Sequence, residues 1–204
     1  MATSPRTRLD PEARRAQLVG LGLQMLATLP LDKVAVDDIA AEAGISRGLL
    51  FHYFPTKRDF HVAVARAAAR EMLDRTETDP ALDGVAQLRA GVAAFVDHVT
   101  ANRDAYVAFI RGSAGGDPEL LAVYEETRAA FSQRVLAGLG AADDPPPRLR
   151  AAVRGWVAFT EELTVDWLGR GDLDRDELID LIDDALVALV AAATGDPGAH
   201  GLRQ

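Results

Sequence analysis

The stretch from Asp37 to Phe60, DDIAAEAGISRGLLFHYFPTKRDF, limits the possible folds more than any other part of the chain. Ile39, Ala40 and Ala43 fall at i, i+1 and i+4, the apolar stripe of a short helix. Gly44 follows, and glycine is the residue that ends a helix in the left-handed conformation without a steric penalty. Ser46 then suits the N-cap of a second helix, because its hydroxyl can accept from an orphan amide one turn on. Leu50 and Phe54 give that helix its own apolar stripe. Two short helices about a tight turn, with a third beginning, predict a helix-turn-helix, whose second helix enters the DNA major groove.

The rest of the chain reads as all-α, with about nine helices and no strand pattern. Asp10-Pro11-Glu12 places an N-cap, a proline at N1 and an acid on the helix dipole, which predicts a helix to about Leu29 with Leu18, Gly22, Met25 and Leu29 on one face. Thr56 and Asp59 have the spacing of a capping box, and the helix they open runs to about Arg75 through Phe60, Val64, Ala67 and Met72. Further helices are expected over about 82–101, 103–111, 117–139, 148–170 and 174–194. The glycines of 112–116 lack a following Lys-Ser/Thr, so they form no P-loop. Domains are expected at 10–55 for the helix-turn-helix and 56–194 for a linking helix and helical remainder. Residues 1–9 and 195–204 are expected to be a flexible arm and tail. Arg6 and Arg8 on the arm suit either a minor-groove contact or a frayed end.

Among 204 residues, 49% are hydrophobic and 26% charged, the balance of a soluble globular protein. No cysteine is present, which excludes disulfides, thiolate metal sites and Cys nucleophiles. No apolar run approaches the ~20 residues a membrane span needs, and MATSPRTRLD has no apolar core, so a cytoplasmic protein without a membrane partner is expected. The net charge of −9 is wrong for a DNA binder. Its distribution is not: residues 1–75 carry 11 basic and 9 acidic side chains, and the remainder 11 and 22. Phosphate affinity follows the local field, so DNA contact is confined to the first part. Arg47 can pair bidentately with guanine O6 and N7.

The run IAAEAGISRGLLFHYFPTKRDF resembles the DNA-binding signature of TetR-type transcriptional regulators, at Ile39, Ala40, Ala43, Gly44, Ile45, Ser46, Gly48, Leu50, Tyr53, Phe54 and Lys57. Ala35, Val36, Leu49 and Phe51 depart from residues frequent in the family, and each departure removes a possible hydrogen bond to DNA. The resemblance implies a palindromic double-stranded operator, a small-molecule effector and a homodimer, with no cofactor, metal or enzyme activity. It puts Ser46, Arg47, Gly48, Leu49, Phe51 and His52 at the DNA-facing end of the recognition helix. Tyr53 and Lys57 match the family's phosphate clamp. The last two helices would pair with their two-fold mates. The wide apolar arc of the final helix, including Ile182, Leu186, Leu189 and Val190, with Trp167 on the helix before it, supports that expectation.

A TetR-like chain would line a cavity with some of its aromatic residues. Phe95, Tyr106, Phe109 and Trp156 are the candidates, with His98, Thr160 and Glu161 as polar groups. At helical spacing the same aromatics suit a core, and a lone histidine is more often structural. Glu162 and Asp166 share a face at i, i+4 that reads as solvated, whereas Glu161 fits a solvated face or a carboxylate among aromatics, with a raised pKa. Two rivals stay open. One is an all-α enzyme using Glu161 or His98; the other is a helix-turn-helix protein with no small-molecule control.

Overall fold

The computed structural model describes residues 10–26, 29–113 and 116–195. The expected arm and tail, Gly195 apart, lie outside the described residues. Among the described residues the chain is all-α: α1 (Pro11–Leu26), a 3-10 turn (Leu31–Lys33), α2 (Val36–Glu42), α3 (Arg47–Tyr53), α4 (Lys57–Arg75), α5 (Gly84–Ala101), α6 (Arg103–Ser113), α7 (Pro118–Gly138), α8 (Pro147–Arg170) and α9 (Arg175–Thr194). The helix starts follow the caps. Asp10 accepts from the Ala13 amide at 2.7 Å, and Asp117 accepts from Glu119 and Leu120. Thr56 and Asp59 bond reciprocally, the Thr56 amide to Asp59 at 2.9 Å and the Asp59 amide to the Thr56 hydroxyl at 3.0 Å.

The chain forms two compact units, which meet within α4: the first extends to Ala68 and the second starts at Ala69. The first unit therefore includes the early turns of α4 as well as the helix-turn-helix. Its core holds Leu18, Val34, Ile39, Leu50, Phe54, Phe60 and Val64, each at most 1% exposed. Phe54 and Phe60 meet edge to face at 5.2 Å, and the Arg15 guanidinium lies 5.0 Å over the Phe54 ring. Leu29, expected on the buried face of α1, lies past the helix end and is 40% exposed.

The second unit packs α5, α7, α8 and α9 around Val96, Val99, Val153, Trp156, Leu178 and Ile182, with α6 against α5 and α7. Trp156 ties α8 to α9 by donating its Nε1 hydrogen to the Ile182 carbonyl at 2.8 Å. Arg89 to Asp180 and Asp183, and Arg175 to Asp97, set α5 antiparallel to α9.

Ile182 and Leu186 were expected at a dimer interface. They are 0% and 2% exposed inside this unit's own core, and Val190 also packs against that core. The apolar arc of α9 is wide because most of it faces α5 and α8. What it leaves outside is Leu181 and Leu189, at 44% and 36% exposed. Trp167 is half-buried, its Nε1 donating to the Leu173 carbonyl at 2.8 Å.

Gly22 sets how closely α1 approaches α4. A Cβ there would lie 2.5 Å from Val64 Cγ2 and 3.0 Å from Phe60 Cζ, whereas one at Gly20 would meet nothing within 4 Å. Val64 is fully buried and β-branched, so it has no easy rotamer into which to retreat. Overpacking costs about 1–3 kcal/mol and helix propensity returns about 1. Gly22→Ala is therefore expected to destabilise the protein by up to about 2 kcal/mol, and Gly20→Ala to stabilise it by up to about 1. Urea denaturation of the two variants checks this; equal effects would mean that the α1–α4 contact is loose.

Candidate DNA-reading helix and helical cavity

Burial of Leu50 and Phe54 turns the opposite side of α3 outward. Ser46, Arg47, Gly48, Leu49 and His52 are exposed there, and Phe51 and Tyr53 are half-buried. Ser46 caps the helix, accepting from the Leu49 amide at 3.2 Å. Gly44 takes φ 63°, the left-handed turn that joins α2 to α3.

Arg47 is not idle. Its Nη1 donates to both oxygens of Asp37, at 3.0 and 2.8 Å, and its guanidinium lies 5.4 Å over the Phe51 ring. Both side chains of the ion pair are well over half exposed, so it contributes little and can be exchanged for a base edge. It holds the guanidinium on the outer face of α3. Lys57, the first residue of α4, is exposed, and its Nζ donates to the Asp32 carbonyl at 3.3 Å. Tyr53 is the last residue of α3, so the two members of the expected clamp stand at successive helix ends.

His61 belongs to the scaffold of this unit. Its ring Nε2 lies 2.9 Å from the Val34 carbonyl, so Nε2–H donates and anchors the connector before α2 to α4. Burial lowers its pKa, a lowering that the Val34 bond opposes and Lys57 reinforces.

The second unit contains a half-open cavity of about 670 Å³ between α5, α7, α8 and α9. Of the expected pocket residues, Phe95, Trp156, Thr160 and Glu161 line it. His98, Tyr106 and Phe109 do not. The α5 side of the cavity runs through Val85, Leu88, Val92 and Phe95 and stops there. His98, one turn further, is half-buried within the fields of Glu71 and Arg75, and burial lowers its pKa. Tyr106 is buried against Phe95, with ring centroids 5.9 Å apart, and Phe109 meets Tyr124 at 6.4 Å.

The two readings of Glu161 resolve in favour of the buried carboxylate. The Tyr124 hydroxyl donates to its Oε2 at 2.9 Å, and Arg128 Nε lies 3.2 Å from the same oxygen, within ion-pair distance though not aligned as a hydrogen bond. Burial raises the Glu161 pKa against the opposing pull of Arg128 and Tyr124, and pushes the Tyr124 phenol to about 12. Three buried polar atoms in this region, Tyr106 Oη, Arg128 Nε and Thr160 Oγ1, have no hydrogen-bond partner among the described residues. Glu162 is exposed, as expected of a solvated face. Sequence spacing had passed over Arg128 and Arg134. Their one local signal is an aromatic on the preceding turn: Arg128 lies 5.3 Å over Tyr124 and Arg134 5.8 Å over Phe131.

Residues 85–189 match the family model described as the tetracyclin repressor-like C-terminal domain, and residues 21–64 the model for bacterial regulatory proteins of the tetR family. The chain belongs to the TetR family. Among its relatives is the HTH-type transcriptional regulator BetI of Stenotrophomonas maltophilia, 30% identical over 177 residues, covering 83% of this chain and 86% of that one. The HTH-type transcriptional activator FasR of Mycolicibacterium smegmatis is 24% identical over 182 residues, covering 85% and 81%. The crystal structure of a tetR-family transcriptional regulator from Streptomyces coelicolor superposes with a TM-score of 0.81 at 30% identity, covering 95% of this chain and 88% of that one. TetR-family proteins are DNA-binding transcriptional regulators, and the enzyme reading of Glu161 or His98 falls with that membership.

Burial of His61 gives this TetR-family protein a pH dependence. The folded pKa is depressed, so as pH falls below about 6.5 the unfolded chain takes up the proton first and stability is lost toward the folded value. His98 acts in the same direction. Urea denaturation between about pH 8 and 5.5 is expected to show this loss in the wild type and a shallower one in His61→Gln/His98→Gln. Equal slopes would mean that neither imidazole is held neutral.

Proposed function

We propose that the protein is a homodimeric repressor of the cytoplasm, which binds a palindromic operator through two copies of α3 and leaves it when a small molecule enters the cavity of the second unit. The observation that carries ligand control is the cavity itself. A regulator controlled only by partners has no need of about 670 Å³ of largely apolar space, with the unpartnered Thr160 hydroxyl and the Glu161 carboxylate in its wall. Among the described residues no helix is long and apolar enough to cross a membrane.

Arg47 is assigned to base reading. Ser46, Gly48, Leu49, Phe51 and His52 supply the surface around it, and Tyr53 and Lys57 hold phosphates. Two recognition helices must stand about 34–36 Å apart to enter successive major grooves. The pairing surface is the outer side of α8 and α9, where Phe159, Leu181 and Leu189 are exposed. α4 starts at Lys57 in the first unit and ends in the second, so a ligand that favours one placement of this helix shifts the spacing that DNA requires.

Lys57→Ala is expected to weaken binding to every sequence and to reduce the salt slope by about one unit. Arg47→Ala is expected to relax preference at one base pair per half-site, by about 1–3 kcal/mol. Electrophoretic titrations over a salt series test both, and wild-type behaviour in both variants would remove the DNA assignment. Leu181→Glu/Leu189→Glu is expected to sediment as a monomer and to lose operator binding; an unchanged dimer would place the interface elsewhere. A reporter behind the operator gives the sign of regulation: transcription that falls in the absence of the protein contradicts a repressor.

A further inference from the structure

The charged side chains in the cavity wall are engaged in different ways. Arg89 is neutralised by Asp180 at 2.7 Å and Asp183 at 3.0 Å. Glu161 is held by Arg128 and Tyr124. Asp83 caps α5, accepting from the Ala86 amide at 2.9 Å. Arg134 is different. Its Nη1 donates to the Leu73 carbonyl at 2.7 Å and to the Thr76 hydroxyl at 3.1 Å, both neutral oxygens. No carboxylate among the described residues lies within ion-pair distance of it.

Both acceptors belong to the end of α4. Leu73 lies in its last turn, where carbonyls have no intrahelical partner. Thr76, which also lines the cavity, turns its own hydroxyl to the Met72 and Leu73 carbonyls at 2.8 and 3.1 Å. Arg134, reaching over from α7, thus adds a second cation to Arg75 at the negative end of the α4 dipole. The same guanidinium, itself exposed, stands in the wall of a largely apolar cavity, beside Val135 and Leu139. A carboxylate arriving there offers a bidentate partner with charge on both sides, in place of bonds that carry charge on the donor alone.

We infer that the cavity takes an amphipathic anion, an apolar body with a single carboxylate head, and that Arg134 is where this head is bound and where occupancy is passed to the C-terminal turn of α4. The inference rests on the ligand-controlled reading and supplies its ligand class. The apolar body lies along Phe95, Trp156 and Val157, and the head exchanges with the Leu73 carbonyl for the guanidinium. Loosening the last turn of a helix whose first residue is Lys57 couples ligand to DNA, and the coupling is reciprocal.

The test uses the full-length protein and three probes that share one chain and differ in charge: decanoate, 1-decanol and decylammonium, each below its micellar range. Binding is followed by Trp fluorescence, and the α4 end by hydrogen exchange of residues 70–78. Decanoate is expected to saturate the protein and to bind at least about tenfold tighter than either analogue. Arg134→Gln is expected to abolish that preference and Arg134→Lys to keep most of it. Exchange at 70–78 is expected to rise with decanoate in the wild type, and without ligand in Arg134→Gln. Failure of decanoate to saturate, tighter binding of decylammonium, or equal decanoate affinity in Arg134→Gln overturns the assignment. If decanol or decylammonium releases operator DNA and decanoate does not, ligand control stands and the anion site falls. If decanoate binds through Arg134 and operator affinity is unchanged, the anion site stands but its coupling to DNA fails, and release of the operator by this ligand class fails with it.

Discussion

Burial of Leu50 and Phe54 decides which side of α3 faces outward, and the functional arrangement of the first unit depends on it. With both side chains buried and Phe54 packed edge-on against Phe60, the helix cannot rotate without exposing them. Its polar residues then have one direction in which to point. The Asp37–Arg47 pair and the Phe51 ring add direction to the guanidinium without adding much stability, because the pair is exposed and water competes for both charges. The apolar side supplies the rigidity, and the polar side stays free to exchange partners.

The second unit solves a different problem. Its helices leave space between them, and the remaining contacts must hold that space open. Trp156 shows how. Its Nε1 bond to the Ile182 carbonyl fixes α8 on α9, while its ring forms part of the cavity wall. The Phe95 ring likewise meets Tyr106 and Phe131 edge-on and also lines the cavity. The cavity is bounded by large side chains whose far sides are anchored, which keeps it from collapsing under the packing forces that would otherwise fill it.

Much of this was legible in the sequence wherever the determining interaction is local. Asp10-Pro11, Asp117-Pro118 and Thr56/Asp59 cap helices within three residues, so their spacing is the mechanism itself. The orientation of α3 was legible from its i, i+4 apolar stripe, Leu50 and Phe54, together with the family resemblance. Periodicity misled at α9, because a wide apolar arc shows that a helix is covered and not by what: Ile182 and Leu186 face the subunit's own core, and their neighbours Leu181 and Leu189 face outward. His98 has the right side of α5 but the wrong height, one turn past Phe95, and spacing along a single helix says nothing of where a cavity ends. Arg134 was invisible because its acceptor, Leu73, lies 61 residues away.

The polar groups beside the cavity support the proposal that the space takes a ligand. A buried hydroxyl without a partner costs about 1–3 kcal/mol, and Tyr106 and Thr160 each leave one among the described residues. Burial presses against the charge on Glu161, which Arg128 and Tyr124 only partly restore. Replacing a buried ion pair and its neighbours by apolar groups of the same shape is often neutral or stabilising. Packing therefore does not account for a polar cluster at α6, α7 and α8. The cluster touches the cavity through Thr160 and Glu161, the two members that line it. The cost is incurred where an entering molecule could repay it, which is the distribution expected of a wall that recognises a ligand rather than one that merely encloses a gap.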